Sequence, residues 1–209
     1  MQELFQQVWS GLQQTTPLEF VAVIAGIASV FFSRKEHILV YPVGLVNTII
    51  FIYLSFKYHL PGEAVVNFYY TVMSIYGWWL WAKKDQQQQP VMHVSFSSRK
   101  EWQQQLLFAT VCYLALYGFI LLMRQWFAKE AIPWADAFAS ATAFTGMWLM
   151  AKKKVESWYW WMATNIASIP LYFVKGLVFT SVQYVVLLLL AVAGWWAWRA
   201  KAKNNVPIS

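Results

Sequence analysis

Apolar residues along the chain come in long unbroken runs rather than in short alternating stretches. Seven runs, at 17–33, 38–57, 63–82, 104–123, 133–151, 158–174 and 180–198, each approach the length that a helix needs to cross a bilayer. That length is roughly 20 residues for a hydrocarbon core about 30 Å thick. A membrane β-strand would alternate apolar and polar positions. Stretches such as VVLLLLAVAGWW over 185–196 do not alternate, so the pattern predicts an all-α integral membrane fold of seven transmembrane helices. The first sixteen residues read differently. Leu4, Phe5, Val8, Trp9 and Leu12 share one helical face with glutamines opposite, the pattern of a short interfacial helix without the basic start of a signal peptide. Thr16-Pro17-Leu18-Glu19 reads as a capping box with proline at the first helical position.

Composition agrees with this pattern. Of 209 residues, 59% are hydrophobic, 19% aromatic and 12% charged, whereas soluble domains carry about 25% charged residues. Too little polar material remains to cover a globular surface, which excludes a cytosolic enzyme, a disulfide scaffold and a disordered chain. Cys112 is the single cysteine, so neither a disulfide nor a cysteine metal site is available within the chain. A net charge of +7 would suggest nucleic acid in a soluble protein, but here it records topology. With the N-terminus outside, Arg34, Lys35, Lys83, Lys84, Arg99, Lys100, Lys152, Lys153, Lys154, Arg199, Lys201 and Lys203 fall on the inner side. Only Lys57, Arg124, Lys129 and Lys175 fall outside. The asymmetry predicts an N-out, C-in chain without a nucleic-acid partner.

The two ends of the chain resemble each other. Gly77-Trp78-Trp79-Leu80-Trp81 recurs 117 positions later as Gly194-Trp195-Trp196-Ala197-Trp198. At an offset of 118, Phe20 matches Phe138, Lys35 matches Lys153, Asn47 matches Asn165 and Lys57 matches Lys175. Each repeat holds three spans, and the run 104–123 supplies the crossing that returns the chain between them. The expected architecture is therefore 3+1+3, with two parallel triplets related by an axis along the membrane normal, as in transporters built from parallel repeats such as the SWEET carriers. The chain divides into an interfacial segment 1–16, a first repeat 17–84, an inner loop with linker helix 85–130, a second repeat 131–200 and a cytoplasmic tail 201–209. The glutamine tract Gln86–Gln89, followed by Pro90, reads as a solvated spacer.

Candidate chemistry is limited and neutral. The carboxylates and histidines all lie in loops or first helical turns, and no cluster has metal-ligand spacing or the arrangement of a catalytic triad, so no cofactor is expected. Ion-driven pumps usually carry an ionisable residue deep in a span; its absence favours passive transport. Within the spans, Asn67, Tyr70, Ser74, Gly77 and Trp81 form one helical stripe, and Trp158, Trp161, Asn165, Ser168 and Tyr172 form another with the same spacing. Asn47 lies on the second span, and Gln183 begins a stripe on the seventh. Four amides, one per core helix, can converge between the triplets. Amides donate to and accept from hydroxyls and carboxamides, while aromatic faces stack on flat rings and favour cations.

Plainer roles compete with ligand contact. Membrane amides often join helices, at about 0.6 kcal/mol per bond on average. Trp79, Trp160, Trp195 and Trp196 fit an interfacial belt. Ala22, Gly26 and Ser29, like Ala139, Ala143 and Gly146, suit close helix packing. Pro170 is expected to kink the sixth span.

The repeated Gly-Trp-Trp-x-Trp ends, Trp158-x-x-Trp161 with Asn165 below it, and the 3+1+3 count together resemble the PnuC nicotinamide riboside transporters over about 17–200. Relatives of similar sequence carry thiamine or riboflavin. The resemblance implies a facilitator of the bacterial inner membrane, a SWEET-related fold in the opposite orientation, a homotrimer, and a cytoplasmic ribosyl-nicotinamide kinase that traps the cargo by phosphorylation. It supports Trp158, Trp161 and Asn165 as substrate-binding residues; stripe geometry and symmetry add Asn47, Asn67, Tyr70, Tyr172 and Gln183. The competing class is a non-transporting membrane module, such as a sensor or assembly factor, which would bind ligand without counterflow.

Overall fold

The computed structural model describes residues 16–58, 61–125 and 131–204. The expected interfacial helix at the N-terminus falls almost entirely outside these residues. The described residues form seven helices: α1 (Pro17–Arg34), α2 (Val40–Lys57), α3 (Pro61–Ala82), α4 (Arg99–Met123), α5 (Pro133–Ala151), α6 (Ser157–Val174) and α7 (Val178–Asn204). Of these, α1, α2, α4 and α7 are long and apolar enough to cross a membrane by length and composition.

Local chemistry sets the ends. Thr16 caps α1, its hydroxyl accepting from the Glu19 amide at 3.2 Å, with Pro17 at the first position. The full reciprocal box belongs to α4, where Ser98 accepts from the Glu101 amide and the Glu101 carboxylate accepts from the Ser98 amide. That cap starts α4 at Arg99, five residues before the apolar run begins. Helix α5 starts with Pro133, and Asp136 accepts from the Ile132 amide at 2.7 Å. Helix α6 continues through Pro170 without a break, and Ser181 of α7 donates to the Ile169 carbonyl beside it.

Packing closes a ring. Helix α1 contacts α2 and α7, α2 contacts α3, α3 contacts α5, α5 contacts α6, and α6 contacts α7; α4 lies outside the ring against α5. With three neighbours, α5 is buried almost all round, and its Ala135, Ala137, Ala139, Ala141, Ala143 and Gly146 allow the close approach.

One register relates the two halves. Both ends of α6 lie 117 positions beyond the ends of α2, and α7 begins 117 positions after α3. Glu36 and Lys153, also 117 apart, share a left-handed backbone with φ of 60° and 52°. Their side chains meet in an ion pair of 2.7 Å. Ser33 and Met150, again 117 apart, meet at 2.8 Å. Positions 117 apart thus face each other at both pairs. They lie at the end of the bundle that carries Arg34, Lys35, Lys83, Lys84 and Lys152–Lys154, called here the basic end.

A connecting segment crosses this basic end. Asp85 accepts from the Gln87 and Gln89 amides, so the exposed glutamine tract folds into a tight turn. The chain then runs extended through Val91–Ser97, with Val94 fully buried and Ser95 paired by backbone hydrogen bonds to Lys153 and Val155.

Candidate functional site

At mid-height an aromatic group joins α3, α5 and α6. Tyr69 stacks on Phe144 with ring centroids 4.0 Å apart, and its hydroxyl donates to the Phe144 carbonyl at 2.9 Å. Tyr70 meets Phe144 edge-on at 6.2 Å and lies 6.1 Å from Trp161. Trp161 lies flat over Gly146, where a Cβ would come within 3.2 Å of the indole. Glycine at that position is what lets the indole approach α5. On the same side of the ring of helices, Tyr172 of α6 stacks on Tyr184 of α7 at 5.1 Å.

The expected site residues separate into four groups. Tyr70 and Trp161 are brought together across α3 and α6, and Asn165 sits one turn from Trp161, 96% buried. Among the described residues the Asn165 side chain makes no hydrogen bond. Tyr172 and Gln183 lie toward the opposite end on α6 and α7, both half-buried. Asn47 and Asn67 do not join this group through their amide nitrogens. Asn47 donates to the Ala22 carbonyl at 2.7 Å and packs on Gly26, where a Cβ would stand 2.8 Å from its nitrogen. Asn67 donates to the Glu63 carbonyl of its own helix at 2.9 Å. In each case Oδ1 is the atom left to offer.

The pairing of Asn47 with Asn165 is corrected by the structure. The common register of 117 sets Thr164 against Asn47 and Thr48 against Asn165. Thr164 shares a hydroxyl hydrogen bond of 2.9 Å with Thr142 of α5, so Asn47 and Thr164 both tie the second helix of a half to the first. The register is fixed by close packing of rings on glycines. Gly77 faces the Tyr41 ring and Gly194 faces the Trp158 ring so closely that a Cβ at either glycine would overlap the aromatic atoms.

Trp158 therefore stands apart from all of these, at the basic end. Tyr41, Trp81, Trp198 and Trp158 form a chain of rings with successive centroid distances of 5.1, 6.1 and 5.5 Å. Trp81 donates to the Ala151 carbonyl at 3.1 Å and Trp198 to the Ser33 carbonyl at 2.9 Å, each reaching the first helix of the other half. The Lys153 ammonium completes this end. It binds the Glu36 carboxylate and the Met92 carbonyl and stands 4.6 Å above the Trp81 ring. Lys201 reaches the other Glu36 oxygen at 3.0 Å. Burial pushes the Glu36 carboxyl up, but the hydrogen bonds and charges of the two lysines outweigh it and hold the group below its ordinary 4.5.

Three aromatic residues escape the sequence stripes: Tyr69 and Phe144 at mid-height, and Tyr184 beside Tyr172. The available signals are weak. Tyr184 is a hydroxylated ring opening an otherwise aliphatic run, and Phe144 interrupts a helix of small residues.

Comparison with known proteins follows the same lines. Residues 16–200 match the nicotinamide mononucleotide transporter family. The nicotinamide riboside transporter PnuC of Escherichia coli (strain K12) is 22% identical over 90% of this chain and 87% of its own. The riboflavin/roseoflavin transporter RibM of Streptomyces davaonensis is 25% identical over 92% of this chain and 88% of its own. A crystal structure of the vitamin B3 transporter PnuC has the same fold, with a TM-score of 0.72 over 97% of this chain and 89% of that one, at 22% identity.

Proposed function

The chain belongs to the nicotinamide mononucleotide transporter family, and from that premise we propose that it carries nicotinamide riboside by uniport across a bacterial cytoplasmic membrane. As a family member it is a multi-pass membrane transporter and not an enzyme. The observation that carries the substrate reading is the uncharged aromatic group around Trp161, with the buried Asn165 amide one turn away. A nicotinamide ring is flat and cationic, and it stacks on Trp161 and Tyr70 through their π faces. Asn165 and Gln183 hold the carboxamide and ribose hydroxyls, Tyr172 adds a hydroxyl, and Trp158 floors the site. Asn47 and Asn67 shape its wall through their remaining acceptor atoms.

In this reading all seven helices span the membrane. They form two parallel triplets, 17–84 and 131–200, joined by a linker section 85–130 that contains α4. The single register of 117 and the self-meeting pairs Ser33/Met150 and Glu36/Lys153 support that arrangement. The basic end faces the cytoplasm, with the N-terminus outside, and the triplets rock about the central site in alternating access. Assembly as a homotrimer and trapping by a cytoplasmic ribosyl-nicotinamide kinase complete the proposal, both resting on the family resemblance.

Uptake into proteoliposomes of labelled nicotinamide riboside, thiamine and riboflavin tests the substrate. Saturable uptake of nicotinamide riboside, competed by unlabelled ligand and indifferent to a collapsed proton or sodium gradient, is the expected result. Riboflavin is the second reading, favoured by the likeness to RibM; saturable uptake of riboflavin alone would select it.

A further inference from the structure

The bonds that join the two halves are unevenly distributed along the bundle. Among the described residues, the side-chain bonds from α1–α3 to α5–α7 begin at Tyr69 to Phe144, at mid-height, and all others lie toward the basic end. There the contacts repeat with the register of 117. Trp81 of the first half binds α5, Trp198 of the second binds α1, and Ser33 meets Met150 as Glu36 meets Lys153. Tyr41 and Trp158 are each about 99% buried beneath them, and the extended segment through Val94 covers the outside. The Tyr41 hydroxyl and Trp158 Nε1 are buried without a hydrogen-bond partner in this arrangement. Buried polar groups normally find partners, so a conformation that opens this end to water relieves both.

We infer that the paired Trp81 and Trp198 bonds, with the Ser33/Met150 and Glu36/Lys153 contacts, are the gate that closes the cargo path at the basic end. The inference rests on the alternating-access reading above and assigns residues to it. The duplicated Gly-Trp-Trp-x-Trp motif then has a definite job. Its glycine admits the Tyr41 or Trp158 ring, and its last tryptophan latches onto the opposite half. Both latches are single neutral hydrogen bonds to carbonyls at helix ends, groups that water satisfies equally well once the halves part. Opening therefore exchanges partners and strands none of these groups.

The test uses the full chain with Cys112→Ser and two engineered versions. In the first, Ser33→Cys and Met150→Cys are bridged by a short reducible thiosulfonate cross-linker. In the second, Trp81→Phe and Trp198→Phe keep the rings and delete the donors. A reporter, Ser74→Cys, is introduced in each; Ser74 is buried and its hydroxyl lies 3.9 Å from a Cβ built on Gly44. An impermeant thiol reagent added from the basic side should modify the reporter faster in the Phe pair than in the parent. For the cross-link, the pair is bridged in the closed form, where the buried Ser74 position shields the reporter, and Ser74→Cys labelling is compared in bridged protein and in protein reduced afterwards. Bridging should stop both reporter modification and nicotinamide riboside uptake, reduction should restore both, and the ligand-induced rise in melting temperature should survive bridging. Unchanged uptake in bridged protein, or reporter labelling indifferent to both perturbations, overturns the gate. The labelling arm needs no ligand, so it judges the gate even if nicotinamide riboside proves not to be the cargo. Absent ligand binding in the parent would sink the substrate reading alone.

Discussion

Replacing Gly77 or Gly194 with alanine tests whether the motif glycine is a contact residue or a passive helix position. Two effects oppose each other. Alanine is the better helix former, by about 0.8–1.0 kcal/mol in a helix interior. Against that, the new methyl at Gly77 overlaps the Tyr41 ring, and at Gly194 the Trp158 ring. Both rings are about 1% exposed and held by neighbouring aromatics, so neither can swing aside. Overpacking of this kind costs about 1–3 kcal/mol, so the net change runs from about zero to about 2 kcal/mol of destabilisation. For a chain of this size each kcal/mol shifts the melting temperature by about 2–4 °C, which predicts a fall of up to about 8 °C. Gly118 is the internal control. It lies inside α4 with nothing within 4 Å of a built Cβ, so only the propensity gain applies, a rise of up to about 4 °C.

The assay is thermal unfolding in detergent, followed by the fraction that remains monodisperse, for the three single alanine variants and for Gly77→Ala combined with Tyr41→Leu. The shorter side chain removes the overlapping ring atoms, so the double variant should lose less than the two single losses summed, with a coupling of about 0.5–3 kcal/mol. If Gly77→Ala melts as high as Gly118→Ala, the ring is not locked on the glycine and the register argument loses its support.

Acid should weaken the basic end in a defined direction. The folded Glu36 carboxyl sits below 4.5, so its stabilising effect is complete above that value and fades as the pH falls through the lowered folded value. Melting temperature should therefore drop more steeply below about pH 4.5 in the parent than in Glu36→Gln, and parallel curves would remove the linkage. Lys153→Met removes the buried partner of Glu36 and the donor to the Met92 carbonyl, leaving Glu36 only Lys201, and should destabilise by about 1–3 kcal/mol, reported by melting, whereas Lys201→Met, at an exposed pair, should change it by less than about 1 kcal/mol. Asn47→Ala should cost melting temperature more than ligand affinity, while Asn165→Ala should cost affinity more than melting temperature; calorimetric titration separates them, and the reverse pattern would exchange their roles.

Much of the fold was legible because a membrane helix writes itself as a run of apolar residues, and six of the seven helices start within three residues of their runs. The exception, α4, starts with Ser98 and Glu101, whose capping chemistry is polar and so falls outside any apolar run. The site was harder to read. A stripe such as Trp158, Trp161, Asn165 and Tyr172 is one helical face, but that face meets different neighbours along its length. Trp158 lies over Gly194, Trp161 over Gly146, and Tyr172 against Tyr184. Spacing locates a face; only the partner helices decide whether a ring borders a cavity or seals a core. Asn47 illustrates the same limit, since nothing in its own sequence neighbourhood announces the Ala22 carbonyl on α1.

In the proposed arrangement, the common register also explains how two like halves would hold an unsymmetrical cargo. At the basic end the halves are near copies: glycine admits a ring, tryptophan crosses over, and equivalent residues meet. Closing and opening act on both halves together, so symmetry there is useful. At the level of the proposed site the copies diverge. Trp161 stands 117 positions after Gly44, and Gly146 the same distance after Ser29. A Cβ at Gly44 would have its nearest neighbours in Ser29 and Ser74, at 3.7–3.9 Å, whereas the equivalent position in the second half carries a whole indole. One half therefore supplies a flat face and the other supplies room. A nucleoside has one flat end and one hydroxylated end, so a site with two equal faces would bind one end well and leave the other poorly matched. Gly44→Ala then becomes the sharpest probe of the division. The methyl meets no contact closer than 3.7 Å in the protein, so folding should be retained, and any loss of affinity must come from the ligand. Unaltered affinity in that variant would mean that the cargo does not occupy the space beside Gly44.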